Sequence, residues 1–178
     1  MTKQPRLYFK EEQRFNQWWL KLILFGSVLV TLGPMYYGTI MQFSTGEPWG
    51  DKPMSDTGVL VMDIITTIIL AAAIYLIFGT RMVIEIKSNG VYVRFKPFLT
   101  KEKFFPAESI EKYEVRKYKP IADYGGWGVK YGRKGIVYNV SGNMGLELWL
   151  KGNKKIMIGT QRPEAIKRAM NKMMKDNG

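Results

Sequence analysis

The sequence predicts a membrane-embedded α-helical hairpin joined to an all-β/α+β domain of about seven antiparallel strands and a C-terminal helix. Three observations predict it. Two apolar runs in the first half are close to the length that crosses a bilayer. Strand-like alternation with turn signals begins at Arg81, and the last segment places apolar residues at the three-and-four spacing of one helix face.

The first run, Trp18 to Met41, carries a single charge, Lys21, near enough to its end to snorkel to the interface. It ends in Gly33, Pro34 and aromatics without a small-residue cleavage pattern, so a retained span is expected rather than a signal peptide. The second run, Val59 to Gly79, has one charge, Asp63, close to its start. Trp18, Trp19, Tyr36 and Tyr37 on the first run, and Tyr75 and Phe78 on the second, stand where interfacial aromatics belong. The expected organisation is an N-terminal arm over residues 1–17, spans over 18–41 and 59–79, an outer loop over 42–58, and a domain over 81–178.

Lys3, Arg6, Lys10 and Arg14 precede the first span and Arg81 follows the second, whereas the loop between them holds Glu47, Asp51 and Asp56 against Lys52. Lys and Arg flanks favour the cytoplasmic side, which places both termini there.

The chain has 178 residues with no histidine and no cysteine, which removes imidazole bases, thiol nucleophiles and the usual zinc, haem and copper ligands. No cofactor is expected. Its formal net charge of +12 lies wholly in the second half: residues 1–80 hold six Lys/Arg and six Asp/Glu, and residues 81–178 hold twenty-one and nine. So basic a segment suits an acidic partner, either nucleic acid or an anionic membrane surface, and the two spans decide for the membrane.

From Arg81 the elements follow in order. Arg81 to Lys87 alternates apolar and charged residues, Asn89-Gly90 is a hairpin turn signal, and Val91 to Phe95 resumes the alternation. The segments around Phe104 and Ile110 to Tyr118 read as strands three and four. Gly145 to Leu150 and Lys155 to Gly159 flank a turn at Gly152-Asn153. Pro163 opens a helix in which Ile166, Ala169, Met170 and Met173 share one face.

Between these lies YGGWGVKYGRKGIVYNVSGNMG, Tyr124 to Gly145, with seven glycines. A dinucleotide loop would need a third glycine where Tyr131 stands and a helix after it, and no Gly-Lys-Ser/Thr occurs for a P-loop. Tight hairpins in a curved sheet account for these glycines. The sequon Asn139-Val-Ser141 falls on a segment read as a cytoplasmic strand.

The segment YGGWGVKYGRKGIVYNVSGNMGLELWLKGNKKIMIGTQRPEAI resembles the distal half of a bacterial PH-like (pleckstrin-homology-like) domain, in which a membrane hairpin precedes the barrel and Ile-Gly-Thr-Gln leads into a Pro-initiated helix. The resemblance covers roughly residues 19–174. It implies a PH-like barrel, placement in the bacterial cytoplasmic (inner) membrane, and a family mostly without assigned biochemistry. PH domains that grip phosphoinositides use a long loop between their first two strands. Here that connection reads as the Asn89-Gly90 turn, so a specific headgroup pocket is not expected.

Three functional readings follow. The preferred one is a non-enzymatic binding module that docks another membrane or cytoplasmic protein, or serves as a subunit of a membrane assembly. Trp127, Tyr131 and Arg133 would contribute, since exposed aromatics beside Arg make hot spots. The second is a peripheral sensor of anionic lipid, with Phe98 as apolar tip and Lys96, Lys101 and Lys103 as cationic shoulders. The third is a transporter or ion-pathway component using Asp63, because ionisable groups within spans are costly and often functional. General acid/base catalysis finds little: Glu108, Glu111 and Glu114 alternate with lysines along a solvent-facing edge.

Overall fold

The structure is a computed structural model that describes residues 4–99, 101–132 and 134–178. It divides into two compact units, one of Met1–Phe15 with Gly79–Gly178 and the other of Asn16–Phe78.

The second unit contains two helices, α1 (Trp18–Thr45) and α2 (Asp56–Gly79), each long and apolar enough to cross a membrane. At 1.5 Å per residue they are about 42 and 36 Å long, against roughly 30 Å of hydrocarbon. Both outrun the sequence-derived spans, α1 by four residues at its end and α2 by three at its start. Gly46 in the left-handed region caps α1. Leu22, Phe25, Leu29, Val30, Ile64, Ile68 and Ile69 are each more than half exposed. A continuous apolar surface of that kind is unfavourable in water and compatible with lipid. Polar bonds between the helices run in opposite order along the chain, Tyr36 to Thr67, Thr39 to Asp63 and Gln42 to Asp56, so the pair is antiparallel.

Among the described residues the first unit has nine strands in two sheets. One sheet is an antiparallel meander of β1 (Leu7–Arg14), β2 (Arg81–Lys87), β3 (Gly90–Lys96) and β4 (Lys103–Pro106). The second contains β5 (Ile110–Lys117), β6 (Gly128–Gly132), β7 (Gly135–Asn139), β8 (Met144–Leu150) and β9 (Lys154–Gly159), in the order β5-β8-β9-β7-β6. A short helix, α3 (Pro120–Tyr124), follows β5, and α4 (Pro163–Asn177) ends the chain.

Inward-facing Ile84, Ile86, Val91, Val93 and Phe95 from the first sheet meet Leu146, Leu148, Ile156 and Ile158 from the second. The α4 stripe of Ile166, Ala169, Met170 and Met173 closes the core, as its periodicity predicted. Each such aliphatic side chain contributes about 1.5–3 kcal/mol relative to exposure.

Three features depart from the sequence-derived picture. The segment assigned to an arm, residues 1–17, supplies β1, which pairs with β2 from Leu7↔Lys87 to Arg14↔Arg81. Its alternation is concealed because two of its three inward residues, Glu11 and Gln13, are polar.

The glycine-rich hairpin does not continue the meander. It leaves between β5 and β8, and β7 adds beside β9 in parallel.

The sheets also do not close into a barrel. Where β1 approaches the end of β9, side chains replace the ladder: Gln13 Nε2 donates to the Gly159 carbonyl at 2.9 Å. Glu11 accepts from Thr160 Oγ1 at 2.6 Å, the Gln161 N–H at 2.8 Å and Gln13 Nε2 at 3.0 Å. On the other side the short β4 turns through a 3-10 turn at Ala107–Ser109 into β5 without pairing to it.

Candidate functional site

The glycine-rich segment folds as the sequence suggests locally, as the hairpin β6–β7. Gly135 is required: its φ is +106°, and a Cβ there would lie 2.1 Å from the Lys155 carbonyl oxygen. This close approach lets β7 lie against β9. Asn139, the sequon residue, is fully buried, accepts the Gly128 N–H at 2.9 Å and donates to the Tyr118 hydroxyl at 2.9 Å.

Of the three proposed docking residues, Tyr131 is 76% exposed on the edge strand β6. Val129, two residues earlier, still packs on the core, so Tyr131 lies past the core's rim. Trp127 is half-buried and its indole N–H donates to the Gly142 carbonyl at 3.3 Å. Arg133 lies outside the described residues.

Sequence reasoning missed what this hairpin borders. On the outer face of the second sheet a cleft of about 800 Å³ is floored by Glu147, Trp149 and Lys155. Gly132, Lys134 and Gly135 of the hairpin line it, with Arg116, Asn153 and Lys154. Next to these residues the outer face carries a small second core of Tyr118, Tyr124, Val137 and Met157. The segment after β5 builds it by folding α3 over the sheet, with Lys119 leading into Pro120 at the helix start.

Charges in the cleft are arranged unevenly. Glu147, buried on β8, pairs with Arg116 from β5, and that carboxylate raises the Arg116 pKa further. Lys134 donates to Asp123 at 2.7 Å. That bond, with the Lys119 N–H at 2.9 Å, holds the Asp123 carboxyl below its ordinary range. Burial pushes the Tyr124 hydroxyl up. Lys112 sits over the Trp149 ring at 5.1 Å. Lys154 and Lys155 make no ion pair among the described residues. The cleft therefore offers cationic donors beside an aromatic face, which suits an anionic or amide-rich surface. Only Arg116 and Glu147 carried a sequence signal, as opposite charges on adjacent strands, and the pairing of β5 with β8 was needed to see it.

The loop proposed to touch lipid separates its two apolar residues. Leu99 packs against the core, while Phe98 is 59% exposed, its ring 6.2 Å from that of Phe95. Lys96, Lys101 and Lys103 are all exposed around it.

Asp63 is 4% exposed and accepts a hydrogen bond from Thr39 Oγ1 of the facing helix at 2.6 Å. Thr67 Oγ1 donates to the Asp63 carbonyl at 2.7 Å and bonds the Tyr36 hydroxyl at 2.8 Å. A turn further, Gln42 donates to Asp56 at 2.7 Å and to the Met54 carbonyl at 3.0 Å. Trp49 of the connecting loop lies so close to Gly38 that a Cβ there would be 2.5 Å from its ring. A cavity of about 280 Å³ remains among Thr39, Gln42, Trp49, Lys52 and Asp63. Asp63 thus takes part in an interhelical clasp, and Tyr36, Thr39 and Gln42, spaced by three, were the signal for its partners.

Comparison with protein-family models, with curated proteins and with solved structures finds no match to this chain.

Proposed function

We propose that this chain is a membrane-anchored, non-enzymatic docking module of the bacterial PH-like type, with both apolar helices spanning the cytoplasmic membrane and both termini in the cytoplasm. The observation that carries the docking role is the cleft beside the glycine-rich hairpin. It sets Lys154 and Lys155, which make no ion pair among the described residues, around an aromatic floor at Trp149, while the exposed Tyr131 of the same hairpin stands on the other face of the sheet. Aromatic and cationic groups gathered in a concavity are the usual composition of binding hot spots.

The PH-like assignment is supported by a four-stranded meander, a second sheet and a terminal helix, with β6–β7 as an added hairpin. On this assignment Asn89-Gly90 joins the second and third strands. The connection between the first two strands is residues 15–80, so the anchor occupies the loop that phosphoinositide-binding PH domains use for headgroups.

The test is an affinity capture of the full-length protein from its native membrane in mild detergent, with a Trp149→Ala, Lys155→Glu variant of the cleft and a Trp127→Ala, Tyr131→Ala variant of the hairpin alongside. A stoichiometric partner retained by the unaltered protein and lost by the folded cleft variant is the expected result, and its loss from the hairpin variant as well would extend the contact to Tyr131. A partner held equally by the unaltered protein and the cleft variant overturns the cleft's role.

A second reading is favoured by Phe98, which stands exposed among three lysines while Leu99 fills the core. Such a tip suits contact with anionic lipid, each cation near the surface contributing on the order of 1 kcal/mol. Salt-sensitive binding of the full chain, in nanodiscs, to anionic vesicles is expected to be lost in Phe98→Ser, and its persistence there overturns this reading.

A further inference from the structure

A second concave surface, sharing no residue with the hairpin cleft, lies between β1 and α4. It encloses about 440 Å³. Lys10 lines it from β1 and Arg6 from just before that strand; Arg168 and Lys172 line it from α4 and Arg162 from just before that helix. Ala165 and Ala169 face it too, and their small side chains keep it open. Among the described residues no carboxylate lines it.

Asp176, further along α4, is engaged by the Tyr8 hydroxyl. Lys10 alone of the five cations has an ion-pair partner among the described residues, Glu85 at 3.2 Å. Arg162 and Lys172 instead lie over the rings of Phe9 and Tyr8, at 5.5 and 5.1 Å. The other four cations have no carboxylate partner among the described residues, and an anionic ligand relieves their mutual repulsion.

The strand side narrows the kind of ligand. β1 is the edge of its sheet and among the described residues pairs with β2 alone; side chains join its Glu11–Gln13 part to residues 159–161, which leaves the part from Leu7 to Lys10 facing the groove. Its Lys10 carbonyl turns away from the sheet and accepts a long hydrogen bond from Arg162 Nη1, at 3.4 Å. An open strand edge offers backbone groups in the spacing that another extended chain can match. A flat bilayer cannot enter a groove between a strand and a helix, and a lipid headgroup has no use for a strand edge. We infer that the β1–α4 groove binds an extended acidic peptide segment of a partner protein, which adds as a strand to β1 while its carboxylates meet Arg162, Arg168 and Lys172.

The inference concerns a site independent of the hairpin cleft, so either can fail alone. The experiment uses the full-length protein in mild detergent and a dye-labelled octapeptide, Glu-Val-Glu-Thr-Glu-Val-Glu-Thr, with binding followed by fluorescence anisotropy. Two companion peptides carry lysine in place of glutamate, or N-methyl groups on alternate residues at unchanged charge.

Arg168→Glu with Lys172→Glu reverses two groove charges, and Lys167→Glu with Lys175→Glu reverses two exposed charges of the same helix outside the groove. Expected are salt-sensitive binding of the acidic peptide alone, a loss of roughly 30-fold or more in the groove variant, and a change under about threefold in the control. N-methylation should weaken binding about tenfold. If charge reversal unfolds α4, as read by hydrogen exchange of its amides, Arg168→Gln with Lys172→Gln serves instead, with about a tenfold loss expected.

Equal losses in both variant pairs would reduce the effect to general charge and overturn the site. Indifference to N-methylation would overturn strand addition. Absence of peptide binding, with phosphatidylglycerol vesicles bound through the same residues, would make the groove a lipid contact and overturn the inference.

Discussion

Replacing Glu11 by alanine tests the seam on which the β domain depends. Glu11 is 6% exposed and accepts three hydrogen bonds, two of them from Thr160 and Gln161, about 150 positions away and just ahead of α4. In Glu11→Ala, Gln13 Nε2 keeps the Gly159 carbonyl, so the donors left without partners are the Thr160 hydroxyl and the Gln161 N–H. Leaving a buried donor unsatisfied costs about 1–3 kcal/mol, so the pair should lose about 3 kcal/mol once some water enters. That is a large fraction of a domain stability of about 5–15 kcal/mol.

Hydrogen exchange of the full-length protein should then show the amides of β1 and of residues 159–163 opening about 150-fold faster. Glu11→Gln, which keeps one acceptor oxygen, should fall between. Glu12→Ala is the control, because Glu12 among the described residues bonds only Arg14 on a solvent-exposed face and should leave the same amides exchanging within about twofold of the unaltered protein. An acceleration below about threefold in Glu11→Ala would refute the idea that side chains stand in for the missing ladder.

Other consequences can be checked alongside. Arg116→Ala strips the buried Glu147 of its partner and should destabilise the domain by about 2–4 kcal/mol, the low end reflecting the partial exposure of Arg116. Restoring neutrality with Glu147→Gln should recover part of that loss in a urea titration.

Gly135→Ala should cost more than about 2 kcal/mol and release β6–β7 to proteolysis, since the added carbon meets the Lys155 backbone at a positive φ.

Asp123 ties α3 to the hairpin turn through its charged form. Its folded pKa lies below the unfolded one, so this contribution is complete above the ordinary carboxylate pKa of about 4 and is lost as pH falls through the folded value. Exchange rates in α3, corrected for intrinsic pH dependence, should rise below about pH 4, and Asp123→Asn should remove that rise.

What could be read beforehand follows from where each signal resides. The two apolar helices, the Asn89-Gly90 turn and the stripe on α4 are local patterns whose physics is complete within a few residues. β1 was illegible for the opposite reason. In LYFKEEQR the inward positions after Phe9 are Glu and Gln, which looks like a solvated arm until Thr160 and Gln161 are seen beside them. The parallel docking of β7 on β9 was equally hidden, because alternation specifies a strand and its faces but not its neighbour. The cleft inherits that blindness: Lys134 and Lys155 come together only once β7 has chosen β9. At Asp63 the acid and the polar row Tyr36, Thr39 and Gln42 were both visible in the sequence, while the pairing of Thr39 with Asp63 had to be supplied by the fold.

The pairing of Arg14 with Arg81 has a consequence for biosynthesis. β1 leaves the ribosome first, yet its neighbour β2 is made only after both apolar helices. Until then β1 has no strand to join, and Glu11 waits longer still for Thr160. In a chain whose helices cross a bilayer, β1 and the rest of the β domain share a compartment only when both spans, or neither, have been inserted. A single insertion strands them on opposite faces, leaving an unfinished sheet with an exposed edge for proteases to find. Completion of the β domain in such a chain therefore requires that the two helices share one fate, both across the bilayer or both outside it.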